Sequence, residues 1–197
     1  MLAESAAGWA WWAYYALAAM LAVGSYTDIR YEKIPNWITL PGVVVGLVGH
    51  ALTGGLTGRD SVQVGLAGSA AGLAVGFVPL MLAWLAGGIG GGDAKLMGAV
   101  GALTGWRFTL AAMLYGFVAA AVMALVVMVA RRVTWSTLRR IGRSVALLLA
   151  PGHVAIDPAT KDSPKVPFGL ALCFGAALAL AEVIWRGPVA KKLVMGW

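Results

Sequence analysis

Long apolar runs, separated by short polar or glycine-rich breaks, set the pattern of the chain. Stretches without a charged residue cover 5–27, 34–58, 61–92, 96–106, 108–130 and 166–181. A helix that crosses a bilayer needs about 17–25 mostly apolar residues. The pattern therefore predicts helices at about 9–26, 38–52, 62–86, 94–105, 108–130 and 166–185. The fourth is short, reaching about two-thirds of the way across at about 1.5 Å per residue. It is expected to be a half-depth helix that turns almost directly into the fifth. Within 133–149, Trp135, Leu138, Ile141, Val145 and Leu148 recur at roughly helical spacing among basic and hydroxyl residues. That spacing predicts an amphipathic helix lying in the membrane interface. Pro151, Pro158, Pro164 and Pro167 then mark an irregular connection into the last span. The expected fold is all-α, a six-helix transmembrane bundle forming one domain over 1–197, without an internal repeat.

Composition agrees with that class. Hydrophobic residues make up 60% of the 197 and charged residues 12%, where a soluble domain carries about 25% charged. So little charge cannot cover a water-soluble surface, and the same figures exclude disorder and fibrous repeats. The apolar N-terminal run carries Glu4 but no Lys or Arg, so it lacks the basic start of a secretory signal peptide.

Charge also orients the bundle. With the N-terminus outside, ten Lys/Arg fall on inner loops: Arg30, Lys33, Lys95, Arg131, Arg132, Arg139, Arg140, Arg143, Lys161 and Lys165. Five fall outside: Arg59, Arg107, Arg186, Lys191 and Lys192. Positive residues favour the cytoplasmic side, which predicts N-out and C-out. Tyr26, Trp37 and Trp135 then lie at the inner interface, and Trp9, Trp11, Trp12, Trp106 and Trp185 at the outer one. The net charge of +7 comes mainly from the inner loop and the tail. That placement points to anionic membrane lipid as the partner and not to nucleic acid.

Candidate chemistry is sparse. Cys173 is the single cysteine, which rules out a disulfide framework and an all-cysteine zinc site. His50 and His153 fall on opposite sides, so no metal site is expected. Glu182 is expected to be interfacial and Cys173 to be a small packing residue. Among the eight acidic residues, Asp28 ends the first span and Asp93 follows the glycine-rich break Gly87-Gly88-Ile89-Gly90-Gly91-Gly92. Both face the same side, so they are free to meet at one depth. Two carboxylates in proximity titrate apart, one holding a proton while the other is ionised. The ionised one can take a proton from water attacking an amide, and the protonated one can donate to the carbonyl oxygen. This needs neither metal nor cofactor. Glycines let a substrate backbone come close, and the start of the fourth helix favours an ionised Asp93.

Each feature has a plainer reading: an end cap for either aspartate, a packing surface or hinge for the glycines, a snorkelling amine for Lys95. A small multi-pass transporter or channel with Asp28 and Asp93 as ion or proton ligands is the alternative. A non-catalytic membrane scaffold is a third.

The two aspartates sit in recognisable surroundings. Gly90-Gly91-Gly92-Asp93-Ala94-Lys95-Leu96 and Asp28 followed by Ile34-Pro35-Asn36 resemble the paired motifs of the bacterial type IV prepilin peptidases. These belong to the Gly-x-Gly-Asp membrane aspartyl proteases. Pro167-Phe168-Gly169 resembles a further element of that family, with Leu170 where a second proline is common. The resemblance implies that Asp28 and Asp93 are the catalytic pair, with Gly90, Gly92 and Lys95 in the active-site loop and Ile34, Pro35 and Asn36 supporting the first motif. It implies a type IV prepilin or prepilin-like substrate, cleaved after a short leader at the cytoplasmic face of the bacterial inner membrane. Long members of the family carry paired cysteines between the first two spans and N-methylate the product. Here that loop is only about 27–37. The chain resembles the short, peptidase-only form associated with Flp-type pili.

Overall fold

The computed structural model describes residues 11–31, 33–57, 64–130 and 168–186. Six helices run through them: α1 (Trp11–Tyr31), α2 (Asn36–Gly54), α3 (Leu66–Leu85), α4 (Gly91–Thr104), α5 (Trp106–Ala130) and α6 (Phe168–Arg186). No strand occurs among the described residues. Four helices are long and apolar enough to cross a membrane: α2, α3, α5 and α6. They identify a membrane protein. The amphipathic helix expected at 133–149 lies outside the described residues, as do His153 and most of the basic inner loop.

Contacts divide the chain into one compact unit of Met1–Ala119 with Pro167–Trp197, and a second of Ala120–Val166. Of the second, only the end of α5 is described.

The centre of the first unit is α4. Ten of its fourteen residues are buried, and Leu96, Met97 and Val100 are wholly inside. It packs mainly on α3 and α2, and glycine makes the approach possible. A Cβ at either Gly72 of α3 or Gly101 of α4 would land on the other's carbonyl oxygen. Gly76 stands in the same relation to the Met97 carbonyl. Small residues let membrane helices touch backbone to backbone, where lipid supplies no hydrophobic drive to pack.

A helix this short ends inside the protein, so its last carbonyls need partners. His50 Nε2 lies 2.8 Å from the Leu103 carbonyl, and Ser69 Oγ donates to the Ala102 carbonyl at 2.6 Å. The acceptor is a carbonyl, so His50 carries its proton on Nε2 in this bond. Gly105, at φ 80°, reverses the chain directly into α5. An l-residue with a side chain would be strained there.

Candidate active site

Asp28 lies in the last turn of α1, which runs on to Tyr31. Its side chain faces inward, 7% exposed. The short 32–35 connection then brings Ile34 and Pro35 back beneath it. Pro35 is the N-cap of α2 and Asn36 its first helical residue. A fixed proline φ suits a helix entry.

Asp93 is placed differently from an end cap. Gly90 is the N-cap of α4, and Asp93 stands in the third helical position, 8% exposed. Its Oδ2 accepts the Gly90 N–H at 3.2 Å. This is half of a capping box, since glycine has no side chain to return the bond.

The two carboxylates meet across Gly169 in the first turn of α6. A Cβ placed on Gly169 would lie 2.8 Å from Ile34 Cδ1, 2.9 Å from Asp93 Oδ1 and 3.0 Å from Asp28 Cγ. The last two distances together bound the separation of Asp93 Oδ1 from Asp28 Cγ at 5.9 Å. Residues 65 positions apart in sequence thus share one small space. Leu170 N–H donates to Asp28 Oδ2 at 2.7 Å.

The other residues singled out in the sequence surround this pair. Ile34 is buried and wedges between Gly169 and Gly92; a Cβ on Gly92 would lie 3.2 Å from Ile34 Cβ. Lys95 is exposed, and its Nζ donates to Asn36 Oδ1 at 2.9 Å. It therefore ties the two motifs together, which a purely snorkelling amine would not do. Gly91 packs under the Trp84 indole. The sequence reading left Gly169 and Leu170 out of the site, although the Pro167-Phe168-Gly169 resemblance was the signal that could have included them. Cys173, one turn further along α6, is buried with Sγ 3.7 Å from a Cβ placed on Gly24. Glu182 is more than an interfacial charge, since it accepts the Tyr115 hydroxyl proton at 2.5 Å.

Asp93 lies outside the four candidate spans. Burial, with the nearby Asp28 charge, pushes its carboxyl from the ordinary 3.8 up to about 6, against the opposing pull of the Gly90 N–H. The start of α4 favours the ionised form through the Gly90 N–H, and burial opposes it more strongly. Among the described residues no group of three His, Cys, Asp or Glu could hold a metal.

A buried carboxylate pair where helix ends meet, in a membrane protein whose described residues are all helical or irregular, defines a class, the helical membrane proteins with paired acids. Within it, residues 15–125, more than half of the chain, match the family described as the type IV leader peptidase family. The chain belongs to that family. It is similar to the prepilin leader peptidase/N-methyltransferase of Xanthomonas campestris pv. campestris, 32% identical over 123 residues. The aligned part is 59% of this chain and 40% of that protein, so the chain spans less than half the length of the curated relative it matches. No solved structure matches it significantly.

Proposed function

We propose that the protein is an aspartyl endopeptidase that removes the short leader from type IV prepilins, with Asp28 and Asp93 as its catalytic pair. The single observation that carries this reading is the meeting of the two motif aspartates, both buried, across Gly169. Two neighbouring carboxyls, one ionised and one protonated, are what acid–base hydrolysis of an amide requires. Family membership supports the reaction class.

The reading extends to a bundle of six spans in one domain, N-out and C-out, with α1 and, at half depth, the short α4 (the span expected at about 94–105) completing the four candidate spans. The pair then lies at the cytoplasmic face of the inner membrane. We assign the substrate to the Flp-type prepilins and the reaction to cleavage without methyl transfer. Only residues 32–35 connect α1 to α2, and Cys173 is the single cysteine, which leaves no place for the paired cysteines of the long family members.

Co-expression with candidate Flp-type prepilins tests the proposal, with leader loss read by gel shift. Wild type should shorten a prepilin, while Asp28→Asn and Asp93→Asn should leave it full length and remain folded. Cleavage by either variant refutes the diacid mechanism. A wild type that cleaves no prepilin but conducts ions or protons favours the transporter reading. Product carrying a methyl group after incubation with S-adenosylmethionine refutes the peptidase-only assignment.

A further inference from the structure

The match to the family ends at residue 125, yet a 2.7 Å hydrogen bond to the aspartate pair comes from beyond it. Leu170 is the third helical residue of α6. The first N–H groups of a helix have no partner within it and carry the positive end of its dipole. Here one of them reaches Asp28 Oδ2 at 2.7 Å, across 142 positions of sequence. An amide N–H donates and cannot accept, so it favours an oxygen that keeps its lone pairs and negative charge. The bond Asp93 receives from Gly90 is longer, at 3.2 Å. Gly169 makes the approach possible, because any side chain there would press on both carboxylates and on Ile34.

Resting on the peptidase reading above, we propose that the first turn of α6 is the third component of the active site. The Leu170 N–H, as a positioning group, holds Asp28 as the ionised member of the pair. Asp28 then takes a proton from the water as its oxygen bonds to the scissile carbonyl carbon, and Asp93 gives its proton to the carbonyl oxygen. As the C–N bond breaks, the leaving nitrogen takes the proton held by Asp28. The hydroxyl that forms the new carbonyl returns one to Asp93. Both acids end as they began.

Among the described residues, Asp93 of α4 and the Cys173 thiol of α6 are titratable groups that face Asp28 from the packed helices. The Ile34 segment ahead of α2 brings apolar contact, and Lys95 of α4 is engaged with Asn36. On α1 itself, Tyr26, Arg30 and Tyr31 are exposed.

The test deletes one N–H. Leu170→Pro removes it but sets the ring Cδ where the amide hydrogen meets Asp28 Oδ2, so the ester variant is the one that isolates the bond. Replacing Leu170 by its α-hydroxy analogue keeps the side chain and exchanges N–H for oxygen, and it decides the outcome where the proline variant does not fold. Leu170→Ala keeps the N–H and is the control. The full chain, labelled with 13C-aspartate, is titrated by infrared spectroscopy, with the Asp28 carboxyl band isolated as the difference from Asp28→Asn. The Asp28 midpoint should rise by about one pH unit in the proline and ester variants relative to alanine, and the acid limb of leader cleavage should move with it. Equal midpoints in all three variants, or a wild-type Asp28 still protonated at pH 7, would overturn the proposal. A midpoint that moves while wild type cleaves no prepilin supports the Leu170–Asp28 tie and counts against the peptidase reading alone.

Discussion

α4 and the first half of α5 follow one another across a single glycine and could hardly be treated more differently by the fold. α4 is rich in glycine and alanine, too short to cross a bilayer, and buried on nearly every side. Between Trp106 and Ala119, α5 buries only Thr109, Ala112, Met113 and Gly116, and leaves Leu110, Leu114, Phe117 and Val118 exposed. In water the more apolar helix would be the buried one. In a bilayer lipid solvates leucine as well as a protein core does, so burial goes to the helix whose small residues allow close packing. The interior position is thus reserved for the helix that carries an aspartate, with its backbone held by α2 and α3.

That contrast can be broken first at its tightest contact. Gly101→Val would drive a branched side chain into the Gly72 backbone, which cannot yield as a side-chain tip could. We expect a loss on the order of 4 kcal/mol, seen as failure to recover a folded, monodisperse protein in detergent. Gly169→Ala, in α6, acts where that helix meets the acid-bearing end of α4. Its methyl would displace Ile34 and both carboxylates, and cleavage should fall by about 100-fold, given how sharply rate depends on placement. Its melting temperature should change less than that of Gly101→Val.

Asp93→Asn sharpens the comparison through pH. The folded carboxyl holds its proton up to about 6, against the ordinary 3.8, so the folded state binds more protons than the unfolded one between these values. The stability linked to that proton is present at low pH and lost as pH rises through about 6. Asparagine cannot ionise. The variant should therefore melt above wild type at pH 7, by on the order of 3 °C, and the gap should close below pH 4. A gap that widens on acidification would contradict the buried-acid account. The smallest effect belongs to α5: Leu114→Ala, on a residue 61% exposed, should shift stability by no more than about 0.5 kcal/mol in a thermal melt.

Much of this was legible in the residues. Apolar run length separates spans from loops, and it placed the short fourth helix and its immediate turn into the fifth, now seen at Gly105. The two aspartates and their motif neighbours were recognisable because a carboxylate beside a long apolar run has few other uses. The protonation tendency of Asp93 was not legible. A local rule, that helix starts favour anions, opposed a tertiary one, that burial beside a second acid disfavours charge, and only coordinates give their relative weight.

What the chain determined alone is the inventory: apolar helices, glycines along several of them, two acids in distinctive settings and one cysteine. Those follow from short-range chemistry, which run length and local motifs record directly. The tertiary structure decided which helix goes inside, that Lys95 reaches Asn36, and that the start of α6 comes between the acids to offer Asp28 a backbone N–H. Such contacts join positions as much as 142 apart, and a backbone N–H looks the same at every residue of a sequence until packing gives one of them a partner.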